Sequence, residues 1–419
     1  MTSAVSAGWV IPVDGPPLEN AYVAWEDGRI VEVGRGRAER HHPDAIILPG
    51  LVNAHSHLEY AAYAGFGDGR SFGEWLAIHI DRKRRLDRDD MTAIARLGAA
   101  ESLAAGITTT ADYSFSGAAA AAADELGLRA IVYLEVFGSD AGAAEQRFDE
   151  LRAGVRETEL VRVGVSPHAP YTCSTDVYRW CLSLGVPVGT HLAESDGENE
   201  WLERGTGPLA AVPDVLVEPT GRRSVGTLEG LLGPDLLCAH CVALDDSEVH
   251  ALAAADVPVA HCPRSNALLG CGIAPLAALR SAGVRVGLGT DSPASTPSFD
   301  PWDELRAAIA GARARERRPG ALDAAEAIDL ATLGAAAALR LDGELGSLTP
   351  GKRADLTVVS VAGSPYHPIE DPVVAAAFAG SPAGVLETIV GGETRYRRGV
   401  TVWPEVRSTG SAARLRMLA

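Results

Sequence analysis

Residues 48–57 read LPGLVNAHSH: a short apolar run that stops at His55 and His57. Five further stretches have the same form. They are GVSPHAPY (164–171, His168), PVGTHLAE (187–194, His191), LLCAHC (236–241, His240), VPVAHC (257–262, His261) and VRVGLGTD (284–291, Asp291). Six of the eleven histidines therefore fall where a strand-like run ends. Strand candidates lie at 46–55, 107–114, 129–138, 161–168, 186–191, 236–240, 257–261 and 284–291. Between them run helix-like segments such as DDMTAIARLGAAESLAAG, which closes on Gly106, and the alanine-rich AAAAAADELG. Parallel strands need crossover connections of this length. The pattern predicts an α/β fold, a (β/α)8 TIM-like barrel over residues 49–350. Such a barrel gathers its chemistry at the C-terminal ends of its strands, so these polar residues should converge in one mouth.

The two ends of the chain have a different texture. AYVAWEDGRIVEVG (21–34) places strand-like runs on either side of Asp27-Gly28, and GVLETIVGGETRYRRGV (384–400) repeats the form around Gly391-Gly392. Residues 1–48 and 351–419 are expected to build one small β-sandwich beside the barrel.

The net charge of −18, from 37 basic and 55 acidic residues, argues against nucleic acid or an anionic membrane as a partner, since both require a basic face. The charged run DRKRRLDRDD (81–90) nearly balances itself and reads as a solvated helix face or loop. The six cysteines show no second CxxC to pair with Cys238 and Cys241, and read as buried free thiols. No basic n-region opens the chain, and no apolar run reaches the ~18 residues of a membrane span. A cytoplasmic location is expected. A small molecule is the expected partner, and a homodimer the assembly that the reading allows.

His55 and His57 are two residues apart, so on a strand both rings face the same side. Any one histidine could be a hydrogen-bonded core residue. Joined by His191 and Asp291 on later strands, the pair becomes three imidazoles and a carboxylate, a set suited to one divalent ion, Zn2+ first and Fe2+ second. Two-metal barrels of this kind often bridge their ions with a carboxylated lysine. The only lysines here are Lys83 and Lys352, and neither ends a strand. Glu135 is the one other candidate bridge.

Glu194 follows His191 by three residues and should overhang the mouth, placed to take a proton from a metal-activated water and return it to a leaving group. It could also simply cap the following helix. His240 either orients the attacking water or is a fourth ligand. Asp291 would share in the deprotonation. His168 and His261 divide between substrate contact and packing.

LPGLVNAHSHLE, HLAE, the AH of the sixth strand, HCPRSN and GLGTDS together resemble the amidohydrolase superfamily. The similarity is strongest to its mononuclear branch of guanine, S-adenosylhomocysteine/methylthioadenosine and aminodeoxyfutalosine deaminases and triazine hydrolases. LGSLTPGKRADLTVV (345–359) extends the likeness to where such chains re-enter their small domain. The resemblance implies metal ligation by His55, His57, His191 and Asp291, proton transfer by Glu194, assistance by His240, and substrate contact by Ser166 and His168. Within that frame Glu59 adds a carboxylate near the metal. Phe72 and Trp75 offer a face to a purine-like ring, and Arg264 can grip a carboxylate in two-point fashion. The reading is hydrolytic deamination of an aminopurine nucleoside, with aminodeoxyfutalosine, which carries an acidic aromatic arm, as the best guess. The alternatives are an adenosine, methylthioadenosine, S-adenosylhomocysteine or guanine deaminase, and a triazine-type chlorohydrolase or amide hydrolase. From outside the class comes an inactive binding scaffold, which a metal assay would distinguish.

Overall fold

The computed structural model describes residues 2–419. The chain opens with β1 (Ser3–Val10), β2 (Leu18–Glu26), β3 (Arg29–Arg35) and β4 (His41–Pro49). Asp27 (φ 48°) and Gly28 (φ 74°) are both left-handed, which matches the twist of a tight hairpin between β2 and β3. The barrel follows: β5 (Leu51–Ser56), β6 (Ile107–Ser114), β7 (Arg129–Val136), β8 (Val161–Pro167), β9 (Val188–Leu192), β10 (Leu236–His240), β11 (Val259–His261) and β12 (Val286–Leu288). These eight pair in parallel in chain order, and a bridge from Ser56 to Asp291 draws the last strand's end back to the first. Then β13 (Leu356–Ser360), β14 (Val385–Val390) and β15 (Glu393–Arg397) return to the N-terminal strands. Together they make one seven-stranded mixed sheet, ordered β15-β14-β13-β4-β1-β2-β3.

The two hairpin tips of that sheet touch. Trp25 Nε1 donates to the Gly392 carbonyl at 3.1 Å, and the Ala354 amide donates to that of Gly28 at 2.8 Å. The sheet therefore curls around a core of its own that includes Val5, Val23, Ile30, Ile47, Leu356 and Ile389.

Two details depart from the sequence expectation. The single strand expected over 46–55 is two, β4 in the small sheet and β5 in the barrel. Gly50 joins them, and a Cβ there would lie 2.1 Å from Thr108 Oγ1. The C-terminal segment also does not stay with the small sheet. Helix Pro372–Ala379 packs on helices Pro301–Glu316 and Ala324–Leu330, and helix Pro404–Leu418 packs on helix Arg88–Ala104 of the barrel. Arg416 pairs with the buried Asp90, and Arg414 donates to the Ala62 and Ala64 carbonyls.

Inside the barrel, alternate residues of several strands meet, among them Val52, Ala54, Tyr113, Tyr133, Leu237 and Ala239. They fill it as a packed core and leave chemistry to the strand ends. With Val52 and Ala54 facing in, strict alternation would turn His55 and His57 out. Between Asn53 and Ser56 the register slips by one residue against β6, and this bulge swings both histidines into the mouth. No helix among the described residues is long and apolar enough to cross a membrane.

Candidate active site

His57 Nδ1 bonds the Tyr113 carbonyl at 2.8 Å, and His191 Nδ1 bonds the His168 carbonyl at 2.8 Å. A carbonyl only accepts, so each Nδ1 carries the ring's proton. With its one proton on Nδ1, such a ring has a lone pair at Nε2 to offer a metal. Those two Nε2 atoms face each other at 3.2 Å. Beside them His55 is fully buried, and neither of its nitrogens has a hydrogen-bond partner. Asp291 Oδ1 lies 3.8 Å from His55 Nε2 and 3.7 Å from His57 Nε2. The other carboxylate oxygen, Oδ2, is held by the hydroxyls of Ser265 (2.7 Å) and Ser295 (2.8 Å).

Lone pairs aimed at one buried point repel unless a cation sits among them. Three imidazoles and one oriented carboxylate oxygen fit one divalent ion, and the Nδ1 bonds are the outer partners such ligands need. Burial pushes His191 down to about 3, helped by His57 and His240, and burial likewise takes His55 well below its ordinary value. Both are therefore in the neutral form that binds metal. Asp291 stays below the usual carboxylate range: burial would raise it, but His57, His240 and the two serine hydroxyls outweigh that.

Glu135, His168 and His191 also bring ligand atoms within 4.8 Å of one another. A second ion there would lack donors. One nitrogen of His191 is bonded to a carbonyl and the other belongs to the first set, which leaves only Glu135 and His168.

Several residues of the mouth adopt left-handed backbone at strand ends: His240 (φ 73°), Asp291 (φ 55°) and Ala193 (φ 49°). Non-glycine residues pay about 1–3 kcal/mol each for this, and such strain collects where geometry serves a site. His240 Nδ1 bonds Asn266 Oδ1 at 3.0 Å, which turns Nε2 towards Glu194 Oε1, 3.8 Å away. Burial alone would lower His240; the carboxylates of Glu194 and Asp291 and the Asn266 bond reverse it, so it is raised. Burial pushes Glu194 up to about 7, against the pull of His240. The turn carrying Glu194 is pinned by Glu198, whose carboxylate accepts the amides of Ala193 (3.0 Å) and Glu194 (2.9 Å).

A cavity of about 590 Å3 opens above these groups. Phe72 and Trp75 line it from helix Phe72–Lys83, which starts at a Ser71/Glu74 capping box. Trp75 is fixed by donating Nε1 to the Ala294 carbonyl at 2.8 Å. His168 lines the cavity with Nδ1 on Thr172 Oγ1 at 2.9 Å. Ser166 is fully buried behind this wall with an unpartnered hydroxyl, and does not line the cavity.

Three expectations are corrected. Arg264 does not reach the mouth. Its Nε donates to the buried Glu304 Oε1 at 2.5 Å and its Nη2 to the Ser298 carbonyl at 2.6 Å. Glu59 does not face the metal either. It accepts from the amides of Ser116 (2.9 Å) and Ala118 (2.9 Å) and from the Ser114 and Ser116 hydroxyls. It thereby serves as the anion at the N-terminus of helix Ala118–Leu126, whose own cap, Gly117, has no side chain to offer. The run 81–90 is not wholly solvated, because Lys83 is half-buried and lines the cavity.

Sequence reasoning missed Glu198, Ser265 and His79. Glu198 lies four residues after Glu194, and a second acid at that spacing was the available signal. Ser265 sat unremarked within HCPRSN. His79, in the cavity wall among Tyr60, Tyr63 and Trp75, has no signal of its own.

The sequence and the fold recur in known proteins. A model of the amidohydrolase family matches residues 46–395. A 5-methylthioadenosine/S-adenosylhomocysteine deaminase of Symbiobacterium thermophilum is 34% identical over 422 residues, covering 94% of this chain and 93% of the relative. A 5′-deoxyadenosine deaminase of Methanothermobacter thermautotrophicus is 31% identical over 409 residues, covering 92% of each. The crystal structure of a Xanthomonas campestris adenosine deaminase with bound zinc superposes with a TM-score of 0.85 at 28% identity, covering 99% of this chain and 97% of that one. With nearly its whole length matched, the chain belongs to the amidohydrolase family.

Proposed function

We propose that this protein is a divalent-metal-dependent deaminase that replaces the exocyclic amine of an aminopurine nucleoside by oxygen, releasing ammonia. The observation that carries the reading is one juxtaposition. Glu194 and His240 stand 3.8 Å apart, beside three imidazoles and Asp291, at the floor of a cavity with aromatic walls. His55, His57, His191 and Asp291 would hold a divalent ion, whose chemistry there would be to acidify a water towards neutrality. Glu194 then takes a proton from the attacking water and delivers one to the ring nitrogen beside the amine-bearing carbon. His240, held by Asn266, offers Nε2 to orient the attacking oxygen. Phe72 and Trp75 pack on the ring. Zinc is the ion that the nitrogen-rich donor set favours.

Adenosine-type substrates stand ahead of aminodeoxyfutalosine in this reading. The named relatives are deaminases of 5-methylthioadenosine, S-adenosylhomocysteine and 5′-deoxyadenosine, and Arg264, the residue expected to hold an acidic arm, is committed to Glu304. The test is ammonia release from adenosine, 5′-deoxyadenosine, methylthioadenosine, S-adenosylhomocysteine, guanine and aminodeoxyfutalosine by the zinc-loaded protein. Turnover of the adenosine set is expected; no ammonia from any of them would overturn the proposal.

A further inference from the structure

We propose that Lys83 is the anchor for a single carboxylate carried by the substrate outside its reacting ring. The inference rests on the deaminase reading for the identity of that ring, and on the cavity wall around Lys83 for the charge.

Lys83 ends helix Phe72–Lys83 and enters the cavity between aromatic faces. Its Nζ lies 3.9 Å from the Phe115 ring centre, 5.8 Å from that of Tyr60 and 5.9 Å from that of Phe137. Aromatic faces hold an ammonium in place without using its donors. Among the described residues, no carboxylate comes within 4.0 Å of Nζ and no hydrogen bond occupies it. A half-buried ammonium with no protein acceptor offers its N–H donors to whatever enters the cavity. Burial accordingly pushes Lys83 down to about 8.

The charges around it decide what can arrive. Glu135, Arg147, Glu59 and Arg84 are the groups whose fields act on Lys83. Glu59 is already satisfied by the helix amides. Arg147 lies over the Phe115 ring and spends its Nε and Nη2 on the carbonyls of Glu135 and Phe115, both at 2.8 Å. Lys83 and Arg147 both lie over the Phe115 ring, so this stretch of wall is positive in a protein whose net charge is −18. A monoanion suits it. A phosphate dianion would overshoot beside the buried Glu135, which is itself free of any cation within 4.0 Å.

The test compares two probes of the same shape, adenosine 5′-carboxylic acid and adenosine 5′-carboxamide, in direct binding by calorimetry and in ammonia release. The wild type should favour the acid by about ten- to a hundredfold, the span of a charge-assisted contact. Lys83→Met should collapse that ratio, and Lys83→Arg should keep most of it. Since the ratio is the readout, general damage from either change cancels. Binding of the acid without deamination of either probe would sink the deaminase reading and leave Lys83 standing. Deamination of both with equal affinity, or a ratio unmoved by Lys83→Met, would overturn the role of Lys83. Tighter binding of adenosine 5′-monophosphate than of the carboxylate would overturn the choice of a monoanion, and failure of all three probes to bind would overturn the anchor altogether.

Discussion

Glu194 Oε1 lies 3.8 Å from His240 Nε2, and the backbone behind Glu194 hangs on the carboxylate of Glu198 through two amides. Glu194 is therefore held in place by groups other than the metal ligands. Glu194→Gln should keep the metal and the fold while lowering kcat by ~10²–10⁴-fold, the usual worth of a general acid–base group. Elemental analysis and steady-state kinetics check this. Near-normal kcat would reduce Glu194 to a helix-start residue.

One divalent ion per chain is expected. Every other group of three ligand atoms in the mouth shares His55, His191 or Asp291 with the set His55, His57, His191 and Asp291, so a second ion would compete for the same ligands. His55→Ala, which removes a ligand with no other partner, should lose that ion. Inductively coupled plasma measurements on active protein would contradict this expectation if they gave two ions per chain.

Arg264→Met should act on stability and leave selectivity alone. The guanidinium pairs with Glu304, which is fully buried and pushed up to about 7 by that burial despite Arg264. Removing one partner of a buried pair strands the other, at a cost of about 3–5 kcal/mol. Urea denaturation should show the loss, while the ratio of kcat/KM for acidic and neutral nucleosides stays level. A shift in that ratio would return Arg264 to the mouth.

The preference for a carboxylate should depend on pH through Lys83. Its ammonium, facing Glu135, Glu59, Arg84 and Arg147, is charged below about 8 and neutral above. Affinity for the acid probe should therefore hold from pH 6 to 7 and fall as pH rises through about 8, while that of the carboxamide stays flat. A bound anion favours the charged form, so the midpoint with ligand should lie higher than without. Parallel profiles for the two probes would rule this out.

The barrel and the candidate ligands at its strand ends were legible in the linear pattern. Eight apolar runs alternate with helices, and chain topology alone sends their ends to one mouth, so a histidine or aspartate at a run's end is placed before any packing is known. Both hairpins were legible too, because Asp27-Gly28 and Gly391-Gly392 are residue pairs that accept the left-handed backbone such turns require.

What only the tertiary structure decided is which charge meets which. Arg264 and Glu304 are 40 residues apart, Glu59 and the helix amide of Ala118 are 59 apart, and Lys83 lies in a run that looks like solvated surface. A long charged side chain can pair, cap or reach a cavity from the same position, and its choice follows from the desolvation and partners that packing imposes. The bulge that turns His55 and His57 inward is of the same kind: one extra residue against β6 reverses the strand's parity, and no local pattern in LVNAHS announces it.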